Sequence, residues 1–165
     1  MNRLSHAIPR NLLFAPLLLL LTACGEPETG PVEVTWDRDN CERCVMALSD
    51  RHHATQIRGG KRNRAHHFDD IGCALLWLDE QPWKDDPATE IWVNDHQDGS
   101  WLDARTAHYV KVTHTPMSYG FSPHPQSTDN AVDFNAMKQA VIKQEAEYHA
   151  SVEARLKHRA EEANR

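Results

Sequence analysis

Two thiols and a thioether fall within six residues in Asn40-Cys41-Glu42-Arg43-Cys44-Val45-Met46. Thiolate and thioether are soft donors that select monovalent copper, whereas zinc accepts thiolates, seldom takes methionine and prefers a closed four-ligand cage. Met46 therefore tilts the segment toward copper(I). The same Cys-x-x-Cys spacing also serves a local disulfide, a thiol oxidoreductase or half of a zinc site, and a lone methionine commonly fills a core. A second thioether, Met117, stands in residues 114–125, a stretch too rich in Pro and Gly for helix and without the apolar periodicity that would give a core role. His114 lies three residues before it. Cys41, Cys44, Met46 and Met117 are thus the candidate ligands. The doublets His52-His53 and His66-His67 alternate across expected strands, so one imidazole of each could join them. Taken singly, each histidine also reads as a surface residue.

The elements that must position these groups are legible in outline. Residues 32–36 alternate as a first strand and end in the Asp37-Arg38-Asp39-Asn40 turn, which puts the sulfur cluster on a loop. Residues 53–58 and 64–68 read as a hairpin about Gly59-Gly60-Lys61. Asp69 or Asp70 can cap a helix over 71–79, where Ile71, Ala74, Leu75 and Leu78 fall at helical spacing. Cys73, beside Leu76 and Trp77, reads there as a small buried hydrophobe. Residues 89–94 alternate as another strand, giving β-β-α-β. Residues 101–104 and 107–113 read as strands, 114–125 as an irregular loop, and a helix is expected from Asp129 with Phe134, Met137, Val141 and Tyr148 as its apolar stripe. Residues 143–165 read as a charged, solvated helical tail.

The chain of 165 residues suits one domain or a tight pair of small units. Its formal charge is −6, and residues 1–23 carry two arginines and no acids, so the remainder stands near −8. Nucleic-acid binding is disfavoured, since it depends on clustered Lys and Arg. The first 23 residues look like a signal: a short positive start, an apolar run too short to span a bilayer, and Leu21-Thr22-Ala23-Cys24 to close it. This closing segment resembles the lipobox of bacterial lipoproteins, in which the cysteine becomes the lipidated N-terminus. Residues 24–31 then form a tether, and the absence of Asp at position 25 favours the outer membrane. Cys41, Cys44 and Cys73 remain, an odd number in an oxidising compartment, so at least one is free or metal-bound.

Four ordered blocks now carry a further resemblance. Cys44-Val45-Met46 with Leu48-Ser49-Asp50, Phe68-Asp69-Asp70-Ile71-Gly72, Trp101-Leu102-Asp103-Ala104-Arg105 and Thr115-Pro116-Met117-Ser118-Tyr119-Gly120-Phe121 make the chain resemble the NosL family, copper-binding accessory lipoproteins of nitrous oxide reductase. The match spans about residues 32–142. It implies a periplasm-facing copper(I) lipoprotein that supplies nitrous oxide reductase, a binding protein and not a catalyst. It also implies an α+β fold of two small β-β-α-β units, like that shared with organomercurial lyase; the charged C-terminal helix expected here is extra relative to many members. The family's Cys-Gly-Met motif lands on Cys44 and Met46, and its later methionine on Met117. Two departures matter. Val45 stands in place of the usual Gly, where a left-handed backbone would be costly, and Cys41 is extra. The competing readings are a thiol oxidoreductase on Cys41 and Cys44, weakened because the residues after Cys44 lead to a strand and not into an activating helix, and a structural module closed by zinc or a disulfide.

Overall fold

A computed structural model describes residues 28–165. The leader 1–23, Cys24 and the first residues of the tether lie outside the described residues. From Gly30 the tether is docked: the Gly30 N–H donates to Glu90 Oε2 at 2.7 Å, and Asn63 Nδ2 donates to the Glu28 carbonyl at 2.6 Å.

The first unit is built on the hairpin of β1 (Thr55–Gly59) and β2 (Arg64–Phe68), with Ile57 opposite His66 and Gln56 opposite His67. Helix α1 (Ile71–Asp79) follows at once because Asp70 is its N-cap, accepting from the Gly72 N–H at 3.0 Å. Strand β3 (Glu90–Asn94) returns antiparallel to β1, and β4 (Trp101–Asp103) extends the sheet to the order β2-β1-β3-β4. The second unit comprises β5 (His108–Lys111), β6 (Phe121–His124) and β7 (Ala131–Val132) in the order β6-β5-β7, followed by α2 (Phe134–Ala163). The chain is thus α+β, two small antiparallel units with a C-terminal helix; in the second unit the helix follows its third strand. Helix α1 packs on β1 and β2, while α2 meets α1 and β5. Ile57, Phe68, Leu75, Tyr109, Met137 and Val141 fill the shared core. Among the described residues no helix is long and apolar enough to cross a membrane.

Several local expectations are corrected. Residues 32–36 form no strand, because the Gln56 side-chain amide takes the place of a ladder: it accepts from the Val32 N–H and donates to the Val32 carbonyl, both at 2.8 Å. His52 and His53 belong to the turn before β1 and not to the strand itself. The expected loop 114–125 contains β6, whose Pro123 is tolerated because β6 is an edge strand and needs no donor there. Helix α2 starts on the cap Asp133, four residues later than expected from Asp129, since Ala131 and Val132 pair with β5. Met137 and Val141 do form the buried stripe, but Tyr148 is 62% exposed where the helix leaves the body.

Gly72 shows how tightly the two units meet. An added Cβ would stand 2.1 Å from Tyr119 Cδ2. Helix propensity alone would favour Gly72→Ala by about 1 kcal/mol, but overpacking against an aromatic ring costs about 1–3 kcal/mol. The variant is expected to be destabilised, which the midpoint of urea unfolding would show; a rise in midpoint would mean that the Tyr119 loop moves aside freely.

Candidate metal centre

Residues 37–48 close on themselves through backbone bonds. The Asp37 N–H donates to the Leu48 carbonyl, the Leu48 N–H to Asp39 and the Cys41 N–H to Met46, at 2.8 to 2.9 Å, around an isolated bridge between Asn40 and Ala47. The Glu42 N–H donates to the His67 carbonyl at 2.9 Å, tying the loop to β2. At the tip, Val45 has φ +64°, a left-handed conformation its branched side chain disfavours, and its N–H closes the turn onto the Cys41 carbonyl at 3.0 Å.

This closure turns both thiols toward the start of α1. Cys73 is the third residue of that helix, and Asp69 lies just before the cap. The ligand atoms of Cys41, Cys44, Cys73 and Asp69 all fall within 4.8 Å of one another, an arrangement that could hold a metal ion. Sulfurs at about 2.3 Å from a tetrahedral metal stand about 3.8 Å apart, so only a small contraction is needed. The Cys44 thiol donates to Asp69 Oδ2 at 3.2 Å. The other oxygen, Oδ1, is buried without a partner. An orphaned carboxylate oxygen among three thiols is the kind of unmet valence that a cation would satisfy.

The three sulfurs are electrostatically distinct. A hydrogen bond from the Cys73 thiol, joined by backbone N–H groups of Cys44, Asp69 and Arg43, lowers Cys41 to about 6 against the opposing effect of burial. Burial pushes Cys44 up to about 12, helped by its bond to Asp69. Cys73 is raised because it is the donor to Cys41 and is itself buried. The cluster therefore holds one thiolate, on Cys41, and two thiols at neutral pH.

Of the residues singled out by sequence, Cys41 and Cys44 enter this group. Met46 lies on its rim, 51% exposed, with its carbonyl held by Cys41. Met117 is half-buried against the core and is pinned at the start of α1, where its N–H donates to Asp70 Oδ2 at 3.1 Å. His114 is exposed. His66 and His67 stand outside the convergent group and brace the loop: His66 Nδ1 meets Glu42 Oε1 at 3.1 Å and its ring packs on Trp77, while His67 Nδ1 lies 3.5 Å from Asp39. Burial lowers both imidazole pKa values, which keeps these rings neutral. Cys73 and Asp69 are the members that sequence reasoning missed. Cys73 is core as well as ligand candidate, and the one available signal was that it follows the cap by a single helical turn.

Helix α2 clamps both loops. Arg43, between the two cysteines, donates to Glu145 Oε1 at 2.6 Å and to Tyr119 Oη at 3.2 Å, and Tyr119 donates in turn to Glu145 Oε2 at 3.0 Å. Gln144 Nε2 donates to the Ser118 carbonyl beside Met117 at 2.8 Å. Burial would raise the Glu145 carboxyl, but the bonds from Arg43 and Tyr119 hold it below its usual range.

Neither a scan of protein-family models nor a search of curated proteins finds a match to this chain.

The strain at Val45 can be tested separately from metal binding. A left-handed residue costs about 1–2 kcal/mol, glycine gives back about 0.5–1 kcal/mol in chain entropy, and Val45 is 73% exposed, so little burial is lost. Val45→Gly is expected to stabilise the metal-free protein by up to about 1 kcal/mol, read as a higher melting temperature. A lower one would show that the valine side chain contributes more by contact than it costs in backbone strain.

Proposed function

We propose that this chain is a copper(I)-carrying lipoprotein of the NosL kind, anchored through Cys24 to the outer membrane, facing the periplasm, and supplying copper to nitrous oxide reductase. The observation that carries the reading is the convergence of Cys41, Cys44 and Cys73 on one point, flanked by loops that each present a thioether. Soft sulfur is the donor set that monovalent copper selects. The site also reaches the surface: Cys44 is half-buried, and Val45 and Met46 beside it are exposed. A cargo ion held there can be passed by ligand exchange, one sulfur at a time, to a recipient docked over Met46. Copper is the cargo in this reading and no reaction is catalysed, so the protein is a carrier and not an enzyme. Asp69 receives the Cys44 hydrogen bond in the free state.

Zinc is the second reading, and Asp69 is the observation that favours it. Three thiols and a carboxylate oxygen within 4.8 Å are also a four-ligand zinc cage. Anaerobic competition on the reduced full-length chain separates the two. The copper(I) reading expects one equivalent of copper(I) to displace the thiolate-bound zinc, and zinc retained on the thiolates against equimolar copper(I) would replace that reading with the zinc one.

Proton release gives a further check. Cys41 is ionised above about pH 6, whereas Cys44 must lose its proton to bind. Each raised thiol that ligates should weaken apparent affinity about tenfold per pH unit as pH falls from 9 to 7. Below about 6 the dependence should steepen by one more proton, because Cys41 then also binds a proton. A flat profile across this range would exclude Cys44 as a ligand.

Met117→Ile keeps the bulk and removes the sulfur. It is expected to leave the melting temperature near that of the wild type and weaken copper(I) binding by at least about tenfold, the scale reached when a supporting group around a metal is lost. Met137→Ile is the control: Met137 is fully buried on α2, so its change is expected to alter stability and not affinity. Equal affinities in wild type and Met117→Ile would confine the site to the 41–46 loop, Cys73 and Asp69.

A further inference from the structure

Four imidazoles meet where the two sheets adjoin, apart from the sulfur cluster. His52 and His53 precede β1, His96 follows β3, and His124 ends β6. The His96 ring centre lies 5.1 Å from that of His53, 5.6 Å from His124 and 6.2 Å from His52. Imidazoles sharing one metal at about 2.0–2.1 Å have ring centres about 5 Å apart in tetrahedral geometry, and somewhat farther at wider angles. Measured from His96, the His53 and His124 separations lie near that spacing and the His52 separation is about 1 Å longer, so His96 is the centre of the group.

The four are not equivalent. His53 is 8% exposed and has both nitrogens engaged, Nδ1 with Asp50 Oδ2 at 2.9 Å and Nε2 with Ser122 Oγ at 3.2 Å. It is a buttress. Asp50 also accepts from the His52 N–H at 2.8 Å, which fixes the turn that presents His52, and it adds a carboxylate to the neighbourhood. His52 Nδ1 is buried with no partner. The His96 N–H donates to the Pro123 carbonyl at 2.9 Å, holding His96 beside the strand that carries His124. The adjacent cation, Arg51, lies over the Trp36 ring at 4.9 Å.

We propose that His52, His96 and His124 form a second metal site, for a borderline divalent cation such as zinc(II) or copper(II), supported by His53 and Asp50. Imidazole nitrogen suits these ions, and the lack of thiolate separates their preference from that of the sulfur cluster. Among the described residues only the sulfur cluster has three such ligand atoms within 4.8 Å of one another, so the imidazoles close on the ion by turning. His96 is exposed and His124 half-buried, and rotation about the Cβ–Cγ bond is soft. The site would join the ends of β3 and β6, and with them the two units.

The test uses the full-length chain in detergent, reduced and metal-free, with zinc chloride and cobalt(II) chloride as probes. Two equivalents are expected in the wild type, one giving a thiolate-to-cobalt charge-transfer band and one without it. His96→Ala and His124→Gln should each weaken the band-free equivalent at least tenfold and leave the charge-transfer band unchanged. His149→Ala and His158→Ala, on the exposed part of α2, should leave both equivalents intact. In the wild type, added zinc should shift the side-chain nitrogen resonances of His52, His96 and His124, a readout independent of whether any variant folds. A band-free equivalent that is missing, that survives both cluster variants, or that is lost with the α2 variants would overturn the proposal, as would zinc addition leaving those three resonances in place.

Discussion

The Asp70 carboxylate is 1% exposed and holds the two halves of the molecule together. One oxygen accepts from the Gly72 N–H and so starts α1; the other accepts from Thr115 Oγ1 at 2.5 Å and from the Met117 N–H at 3.1 Å. Taking a carboxylate out of water costs on the order of several kcal/mol. Burial accordingly pushes its pKa up even though three donors pull it down. A group that starts from such a deficit is a poor source of net stability but a strict selector of geometry, because no other packing of the loop would satisfy it. It fixes the backbone of Met117 against the first turn of α1, which carries Cys73. The adjacent Asp69, also buried, faces the sulfurs. Two consecutive carboxylates thus divide the work, one organising the fold and the other the site.

Strain is concentrated in the same place. Among the described residues, outside the turn residues Arg62 and Asn63 and the loop residue Asp37, the non-glycine residues with positive φ are Val45 and Ser118, each next to a methionine. Such conformations persist only where surrounding bonds over-determine them. Here the Val45 turn is closed by the Cys41 carbonyl, and Ser118 is held by its N–H to Thr115 and its carbonyl to Gln144. The Val45 turn is thus held from within its own loop, and Ser118 both from within its loop and by α2.

Much of this was readable in the sequence where the cause is local. The bounds of α1 follow from the Asp70 cap and the spacing of Ile71, Ala74, Leu75 and Leu78, and β2 and β3 follow from alternation between turn residues. What escaped reading was set by partners distant in sequence. Residues 32–36 alternate like a strand, but a side-chain amide 24 positions away satisfies Val32 in place of a ladder. Cys73 sits on an apolar helical stripe, and periodicity correctly makes it core; that the same face also meets the 41–44 loop is a tertiary fact. Strand β6 was hidden by Pro123, whose missing donor matters only if one does not know that the strand is an edge. The histidine group draws on four separate positions in three segments, so no spacing could announce it.

The C-terminal helix shows how a segment that looks like a solvated tail can have two parts with different roles. Its first half is anchored by Met137 and Val141 in the core and then, one to two turns later, by Gln144 and Glu145 on the two donor loops. Arg43, from the chain between Cys41 and Cys44, and Tyr119, whose ring Gly72 accommodates, thus share one carboxylate on α2. Beyond Tyr148 the helix is mostly exposed, with Leu156 at 59% and ion-pair candidates such as His158 and Glu162 along one face. Its contact with the site lies wholly in the inner half, through Arg43, Tyr119 and Glu145, which join the two donor loops to the helix.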